Sequence, residues 1–438
     1  MTNAAPSSPD TALRVGLAGL GTVGGGVISL LDANPELIAR RAGQAIVVTA
    51  VSARDRHRER GVDLGRIAWV DDATELPARG DVDVVVEVVG GADGPALTLA
   101  RATLDAGKGL VTANKAMLAH HGLELAELAE ARGAALKYEA AVAGGIPVVK
   151  GLREGAAANR IERVYGILNG TCNYILTRME AERLSFGAVL SDAQRLGYAE
   201  ADPSFDIDGI DAAHKLSLLA SLAFGSRVDF AAVAAQGIRA VDSADIEHAA
   251  TLGFKIRLVG LASADGDRLF QRVHPCLVPH AHPLAHVDGA LNAVVAEGNF
   301  VGRLLFQWRG AGEGPTASAV VADLIDVARG EVGPAFAMPT ARLLPLPAAD
   351  ASALHGRFYL RLTVADRPGV LAELTTALGD AGVSIESLIQ RGHSSDGGVY
   401  VVMVTHRSRQ SAVDAALSRM ASSNSVTAPP LMLHILDF

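Results

Sequence analysis

Cysteine is nearly missing from these 438 residues. Cys172 and Cys276 stand far apart with no CxxC pair, which argues against a disulfide framework or a zinc site. Aromatic residues make up only 4% and the net charge is −9, so there is neither a stacking platform nor a basic footprint for nucleic acid. No apolar run is long enough to span a membrane, and the opening MTNAAPSSPDTA has no basic flank and no signal-like apolar core. We therefore expect a cytoplasmic protein with a small-molecule partner, no nucleic acid and no membrane, and with residues 1–12 disordered. What is plentiful is apolar material, 49% of the chain, enough at this length for two or three domains.

The first structured run is LRVGLAGLGTVGGGVISLL, a strand over Leu13 to Ala18 that feeds a glycine turn and a helix. Gly19, Gly21 and Gly24 have GxGxxG spacing, with Thr22 and Val23 opening the helix. A turn without side chains lets the backbone approach a pyrophosphate while helix N–H groups face its charge, so a dinucleotide is expected here. The second strand should end near Ser52, where NAD-specific sites place an acid on the ribose. The first charge is instead Arg54, which can pair with a 2′-phosphate, so NADP(H) is favoured. Asp55 keeps NAD(H) open, and a solvated loop charge is the plain alternative for Arg54. DVDVVVEVV, from Asp83 to Val89, reads as a parallel strand covered on both faces. LVTANK repeats the pattern and brings Thr112, Asn114 and Lys115 to the crevice, unless Asn114 merely caps a helix and Lys115 lies on the surface. In KYEAAVAGGIPVV, Glu139 closes a strand and Ala143-Gly144-Gly145 turns before a helix near Pro147. A carboxylate beside exposed carbonyls suits a hard cation, although the pattern alone is a weak metal signal.

The densest acid–base stretch is YAEADPSFDIDGIDAAHK, Tyr198 to Lys215, with Glu200, Asp202, Asp206, Asp208 and Asp211 ahead of one lysine. Pro203 predicts a loop before a helix that begins near Asp208. That helix is apolar on nearly every side after Lys215 and is therefore buried. Asp211 and Lys215, four apart, share one face and are carried inward. An ordinary helix ion pair is the bland explanation. The sharper one is a lysine whose proton affinity is tuned by burial and a neighbouring carboxylate, as a general acid requires.

A second domain begins near Asn159. Its helix NGTCNYIL opens with Asn169 and Thr171 as caps, and Cys172 there is either a small buried residue or a thiol of depressed pKa. Strand-like runs FKIRLVGLAS, RLFQRVHPCLV, LNAVVAEGN and GRLLFQWRG predict a mixed sheet able to pair with another subunit. His274, His280, His282 and His286 look clustered, but Pro275, Pro279 and Pro283 break any helical metal spacing. GAGEGPTASAVVADLID makes a second glycine turn into a helix, which can return Gly312 to the cofactor cleft. Residues 333–354 read as a linker, and 355–438 as a separate βαββαβ ferredoxin-like unit.

GLGTVGGGV, VEVVGG, VTANKA, YEAAVAGGIP, NGTCNYIL, GYAEADPSFDIDGIDAAHKL and GAGEGPTASAVVADL together resemble the successive motifs of homoserine dehydrogenases. DRPGVLAEL with GVSIESL resembles their C-terminal ACT domain. The likeness covers nearly the whole chain. It implies an α/β fold with a Rossmann-type domain at 13–150, completed by 311–332, an α+β substrate and dimerisation domain at 151–310, and an ACT domain. It also implies reversible reduction of L-aspartate 4-semialdehyde to L-homoserine by NAD(P)H, in threonine, methionine and isoleucine synthesis. Lys215 would give the proton, with Asp211 beside it. Glu200, Asp206 and Lys115 would hold substrate, and Gly19, Gly21, Thr22, Val23, Gly24, Arg54, Lys115 and Gly312 the cofactor. Glu139 and the carbonyls of Val142, Gly144 and Ile146 would hold sodium. Threonine would act as effector on a homodimer or homotetramer. Ala143 and Cys276 stand where glycine and threonine are common in the family. Two rivals are a phosphorylating semialdehyde dehydrogenase, for which only Cys172 could be the nucleophile, and a non-catalytic dinucleotide-binding sensor.

Overall fold

Valine-rich runs ending in glycine or polar residues build the first sheet. The computed structural model describes residues 12–393 and 397–437, so the expected disorder of 1–12 falls, except for Ala12, outside the described residues. Strands β1 (Leu13–Ala18), β2 (Ile46–Ser52), β3 (Ala68–Trp69), β4 (Val84–Glu87), β5 (Gly109–Thr112) and β6 (Leu136–Lys137) lie in the order β3-β2-β1-β4-β5-β6 with parallel pairing. The order reverses between β1 and β4, which opens a crevice at their carboxyl ends. The β4 strand is shorter than the apolar run DVDVVVEVV suggests. Asp83 leaves the strand to pair with Arg14 at 2.6 Å. Glu87, fully buried, accepts from the Thr112 hydroxyl at 2.6 Å and from the amides of Val89 and Gly90, which bends the chain into the crevice turn. The helix Glu313–Ala328 comes back to pack on the helix Thr22–Ala33, at Gly26, where an added Cβ would stand 2.7 Å from Glu313 Cγ.

The second sheet contains β7 (Ile161–Ile167), β8 (Ala234–Ala235), β9 (Phe254–Asp265), β10 (Arg268–Pro279), β11 (Leu291–Gly298) and β12 (Gly302–Arg309). Its path is β12-β11-β7-β9-β10, all antiparallel, with β8 beside β10. The helix Ile210–Phe224 packs across β7, β9 and β10 and is buried from Asp211 to Leu222. It starts slightly later than the Asp208 expected from Pro203. Ser204–Ile207 makes one short turn, and Gly209 at φ 87 breaks it from the long helix, a conformation that only glycine adopts cheaply.

The tail contains β13 (His355–Gly356), β14 (Phe358–Val364), β15 (Ile385–His393), β16 (Val399–Thr405), β17 (Ser408–Arg409) and β18 (Val426–Ile435), with helices Val370–Asp380 and Gln410–Ala421. Its four long strands run β18-β14-β16-β15, the βαββαβ arrangement expected. The tail is not a detached unit, however. β18 pairs with β10 through Cys276↔His434 and Leu277↔Ile435, so one sheet continues through both regions. Residues 333–354 are likewise no loose spacer. Phe336 is buried, Thr340 donates its amide and hydroxyl to Glu130, and Leu269 exchanges backbone bonds with Pro347 and Ala349. Such pairing joins residues far apart in sequence, and Pro/Ala composition has no period that would reveal it.

Candidate active site

Between the crevice of the first sheet and the long helix of the second lies a cleft of about 800 Å³, lined by Val23, Lys115, Asn169, Asp206, Asp211, Lys215 and Gly312 among others. At its floor the helix Ile210–Phe224 carries Asp211 and Lys215 on one face. Lys215 Nζ donates to Asp211 Oδ2 at 2.7 Å and to the Leu168 carbonyl at 2.8 Å. Lys115 Nζ reaches Asp211 Oδ1 at 3.0 Å from the first residue of its own helix, Lys115–Arg132. Two ammonium groups from different domains therefore share one buried carboxylate.

Asn169 organises the acids around that pair. Its Oδ1 caps the helix Gly170–Glu182 by accepting from the Cys172 amide at 2.8 Å, and its Nδ2 donates to Asp206 Oδ1 at 2.7 Å and Asp211 Oδ2 at 2.8 Å. Burial works to raise the Asp211 carboxyl, but Lys215 and Lys115 overcome it and hold the group well below the usual carboxylate range. Burial also lowers the Lys215 ammonium, which Asp211 only partly opposes. Burial and the charge of Asp211 raise the Asp206 carboxyl. The sequence suggested Asn169 only as a cap; its second duty depends on the fold.

The cofactor crevice has the open space that a dinucleotide needs. An added Cβ at Gly19 (φ 100) would stand 2.7 Å from the Val88 carbonyl oxygen, and one at Gly24 would stand 2.0 Å from that of Gly19, whereas one at Gly21 would meet nothing within 4 Å. The glycines thus close the turn yet leave its outer side free. The helix Thr22–Ala33 has no side-chain cap and no acid in its first turn, so its amides are available to an anion. A second cavity of about 720 Å³ runs from Gly19 and Gly21 past Ser52 to Arg54, Arg58 and Arg60. Arg60 donates to the Leu20 carbonyl at 3.1 Å and lies over Trp69, tying the arginine loop to the glycine turn. Arg58 and Arg60 were not singled out from sequence, although the run RDRHRERG carried the signal. Asn114 does cap its helix, accepting from Met117 at 3.0 Å, and it also ties the crevice through the Gly91 carbonyl at 2.7 Å. Gly312, at φ 117, begins the returning helix at the cleft wall.

The remaining candidate residues are placed by their surroundings. Glu200 is exposed and is not among the residues lining the cleft; it follows the rim residue Tyr198 on a segment held by Gln194 through the Glu200 and Ala201 carbonyls. Cys172 is buried, and burial together with Asp206 and Asp211 raises its thiol well above the ordinary value, the opposite of an activated nucleophile. The histidines do not converge. His282 bonds Tyr165, His286 bonds the His280 carbonyl, and no metal-holding group of three or more His, Cys, Asp or Glu occurs among the described residues. Glu139 is buried with its two oxygens accepting the amides of Val149 and Lys150 at 2.9 Å, and burial plus Asp323 pushes it up to about 7. Ala143 adopts φ 56, so alanine there carries backbone strain that glycine would not. His214, next to Lys215, was not anticipated. Both ring nitrogens are buried without partners among the described residues, and burial lowers it to about 4, leaving a neutral ring against His120 and Phe230.

Known proteins share this architecture. Residues 19–139 match the family model "Homoserine dehydrogenase, NAD binding domain", 147–325 match "Homoserine dehydrogenase", and 358–421 match "ACT domain". A homoserine dehydrogenase of Pseudomonas aeruginosa is 42% identical over 430 residues, covering 97% of this chain and 98% of its own. The crystal structure of a homoserine dehydrogenase from Thiobacillus denitrificans superposes with a TM-score of 0.92 at 41% identity, covering 97% of this chain and 98% of that one. A hyperthermophilic archaeal homoserine dehydrogenase in complex with NADPH aligns at a TM-score of 0.62 and 25% identity, covering 72% of this chain and 97% of that one.

Proposed function

Because the chain belongs to the homoserine dehydrogenase family, NAD(P)-dependent oxidoreductases acting on a CH–OH group, we propose that it interconverts L-aspartate 4-semialdehyde and L-homoserine, with Lys215 as proton donor. The observation that carries this reading is the buried Lys215–Asp211–Lys115 cluster on the floor of a cleft walled by the dinucleotide helix. The nicotinamide, when bound, supplies the hydride. As negative charge grows on the aldehyde oxygen, the Lys215 ammonium stabilises it and transfers its proton; in the reverse direction neutral Lys215 takes the hydroxyl proton. Asp211 holds Lys215 and Lys115 in place. Asp206 attracts the substrate ammonium, and Glu200 joins it when the exposed segment beyond Tyr198 closes over the bound amino acid. The test is cofactor reduction with L-homoserine, followed by absorbance. Turnover supports the reading, and a chain that binds NADP(H) without turnover is the non-catalytic sensor instead.

The finer assignments form part of the same proposal. Arg54 and Arg58 at the ribose end of the crevice support a preference for NADP(H), since a guanidinium pairs bidentately with a 2′-phosphate. The residues that would hold sodium are Glu139 and the carbonyls of Val142, Gly144 and Ile146. Its support is the buried Glu139 carboxylate, folded back through the Val149 and Lys150 amides onto the turn that carries those three carbonyls. Stabilisation of the cofactor-free protein by sodium but not by choline at equal ionic strength would test it. Threonine is the proposed effector, bound in the tail near the Asp366–Gly369 turn and Gly382–Ser384, with homodimers or homotetramers as the working assembly. Its coupling to the cleft is supported by Asp245. That buried carboxylate, on the helix Ser243–Thr251, accepts from Tyr359 at 2.9 Å and pairs with Arg361 at 2.8 Å, both on the tail strand β14. The same helix packs against Gly170–Glu182, whose cap Asn169 holds the catalytic acids.

A further inference from the structure

The substrate of the proposed reaction carries a carboxylate as well as an ammonium and a carbonyl, and the groups assigned so far answer only the last two. The cleft contains three cations, Lys115, Lys215 and Arg309. Both lysines are already engaged by Asp211. The Arg309 side chain has no hydrogen bond or ion pair with any described residue, although Arg309 lines the same cleft.

Its position is fixed by tight backbone packing. Arg309 ends β12 and pairs with Leu291, the first residue of β11. The start of β11 lies against the start of the helix Gly170–Glu182: an added Cβ on Gly170 would stand 2.8 Å from the Ala290 carbonyl oxygen and 3.3 Å from Asn292 Oδ1. On the other side of Arg309, an added Cβ on Gly310 would meet Asn292 at 2.3 Å, and one on Gly144 would stand 2.4 Å from the Gly310 carbonyl oxygen. The strand end is thus wedged between two domains, while Arg309 itself is exposed and lines the cleft. Beside it, Asn169 caps the Cys172 amide, and the first helical amides, those of Gly170 and Thr171, have no intrahelical acceptor.

We propose that Arg309 anchors the α-carboxylate of the amino-acid substrate, with the Gly170 and Thr171 amides completing the site. This rests on the reaction proposed above. An arginine fork accepts a planar carboxylate bidentately, and a helix N-terminus adds favourable charge on the same side. Asp206 and Asp211, both held by Asn169 in the same cleft, suit the ammonium, so the cleft has a partner for each charged end of the amino acid. Arg309 is in this account a specificity residue and takes no part in proton transfer.

The experiment is steady-state oxidation by the full chain of L-homoserine and of its carboxamide, 2-amino-4-hydroxybutanamide. For Arg309→Ala, KM for L-homoserine should rise about 10- to 100-fold, the effect of losing a charge-assisted bond, while kcat and the KM of the nicotinamide stay within about threefold. Arg309→Lys should recover part of the loss. The carboxamide, poor with the unmodified enzyme, should be indifferent to either change. Equal losses for both substrates, or a rise confined to the nicotinamide KM, would overturn the assignment. If Arg309→Ala does not fold by circular dichroism, the same ratio of the two substrates is read on Arg309→Gln and Arg309→Lys. An unmodified enzyme inert toward L-homoserine defeats the reaction itself, whereas normal kinetics in Arg309→Ala defeats only the anchor.

Discussion

Replacing Asp211 by Asn removes one negative charge and almost no volume, at the point where two domains meet. Its carboxylate lies 2.7 Å from Lys215 Nζ and 3.0 Å from Lys115 Nζ. At an effective dielectric constant of about 20, each contact has a gross Coulomb attraction of roughly 6 kcal/mol, most of which offsets desolvation. Stranding two ammoniums should still cost about 3–5 kcal/mol of stability, the usual result of breaking a buried pair from one side. Because the Asp211 carboxyl titrates below its unfolded value of about 3.9, its stabilisation is fully present above that pH and is lost as pH falls through the folded pKa. The gap between the two proteins should therefore be complete at neutral pH and narrow in acid. Turnover should fall about 10²-fold through misplacement of Lys215. Homoserine oxidation needs neutral Lys215, and loss of the carboxylate disfavours its ammonium further. The rising limb of kcat/KM against pH should accordingly move to lower pH. Denaturant melts and initial rates across the pH range measure all of this. An unmoved limb with near-normal turnover would refute the electrostatic role of Asp211.

Arg54→Ala should weaken NADP(H) more than NAD(H), and equal loss for both would show that it does not read a 2′-phosphate. Gly24→Ala should lower cofactor affinity roughly 5- to 150-fold, the range of an overpacking cost of about 1–3 kcal/mol, because the new Cβ would stand 2.0 Å from the Gly19 carbonyl oxygen. Titration of the purified variant measures it, and unchanged affinity would contradict the crevice as described. Tyr359→Phe should leave basal kcat intact and shift threonine half-inhibition by about fivefold or more, the lower end of a typical coupling free energy. An unshifted threonine titration would separate Asp245 from regulation. This substitution is cleaner than removing the tail, since truncation would bare the β10 edge that β18 covers.

What was legible in the sequence was local. The four-residue spacing of Asp211 and Lys215 put both on one helix face, and the apolar residues after them predicted burial. The glycine turn with its flanking strand and helix likewise identified the cofactor crevice. Lys115 was placed at the crevice by its strand-end pattern, but its contact with Asp211 joins two domains and has no local sign. The same holds for Asp245 with Tyr359 and Arg361, and for β18 against β10, where pairing is chosen by tertiary packing. That Glu200 faces solvent had no local sign, because an acid in an acid-rich loop carries no information about which way the loop faces. Glu87, closing its turn from a buried strand end, looked like one more residue of an apolar run.

The central claim is that Lys215 moves the proton, and the most direct measurement is turnover of L-homoserine by Lys215→Ala beside a titration of NADP(H). Turnover should drop by roughly 10² to 10⁴ while cofactor affinity is retained, as expected when a positioned acid–base group is removed from an otherwise assembled cleft. Near-normal turnover with the cofactor still bound would contradict the account.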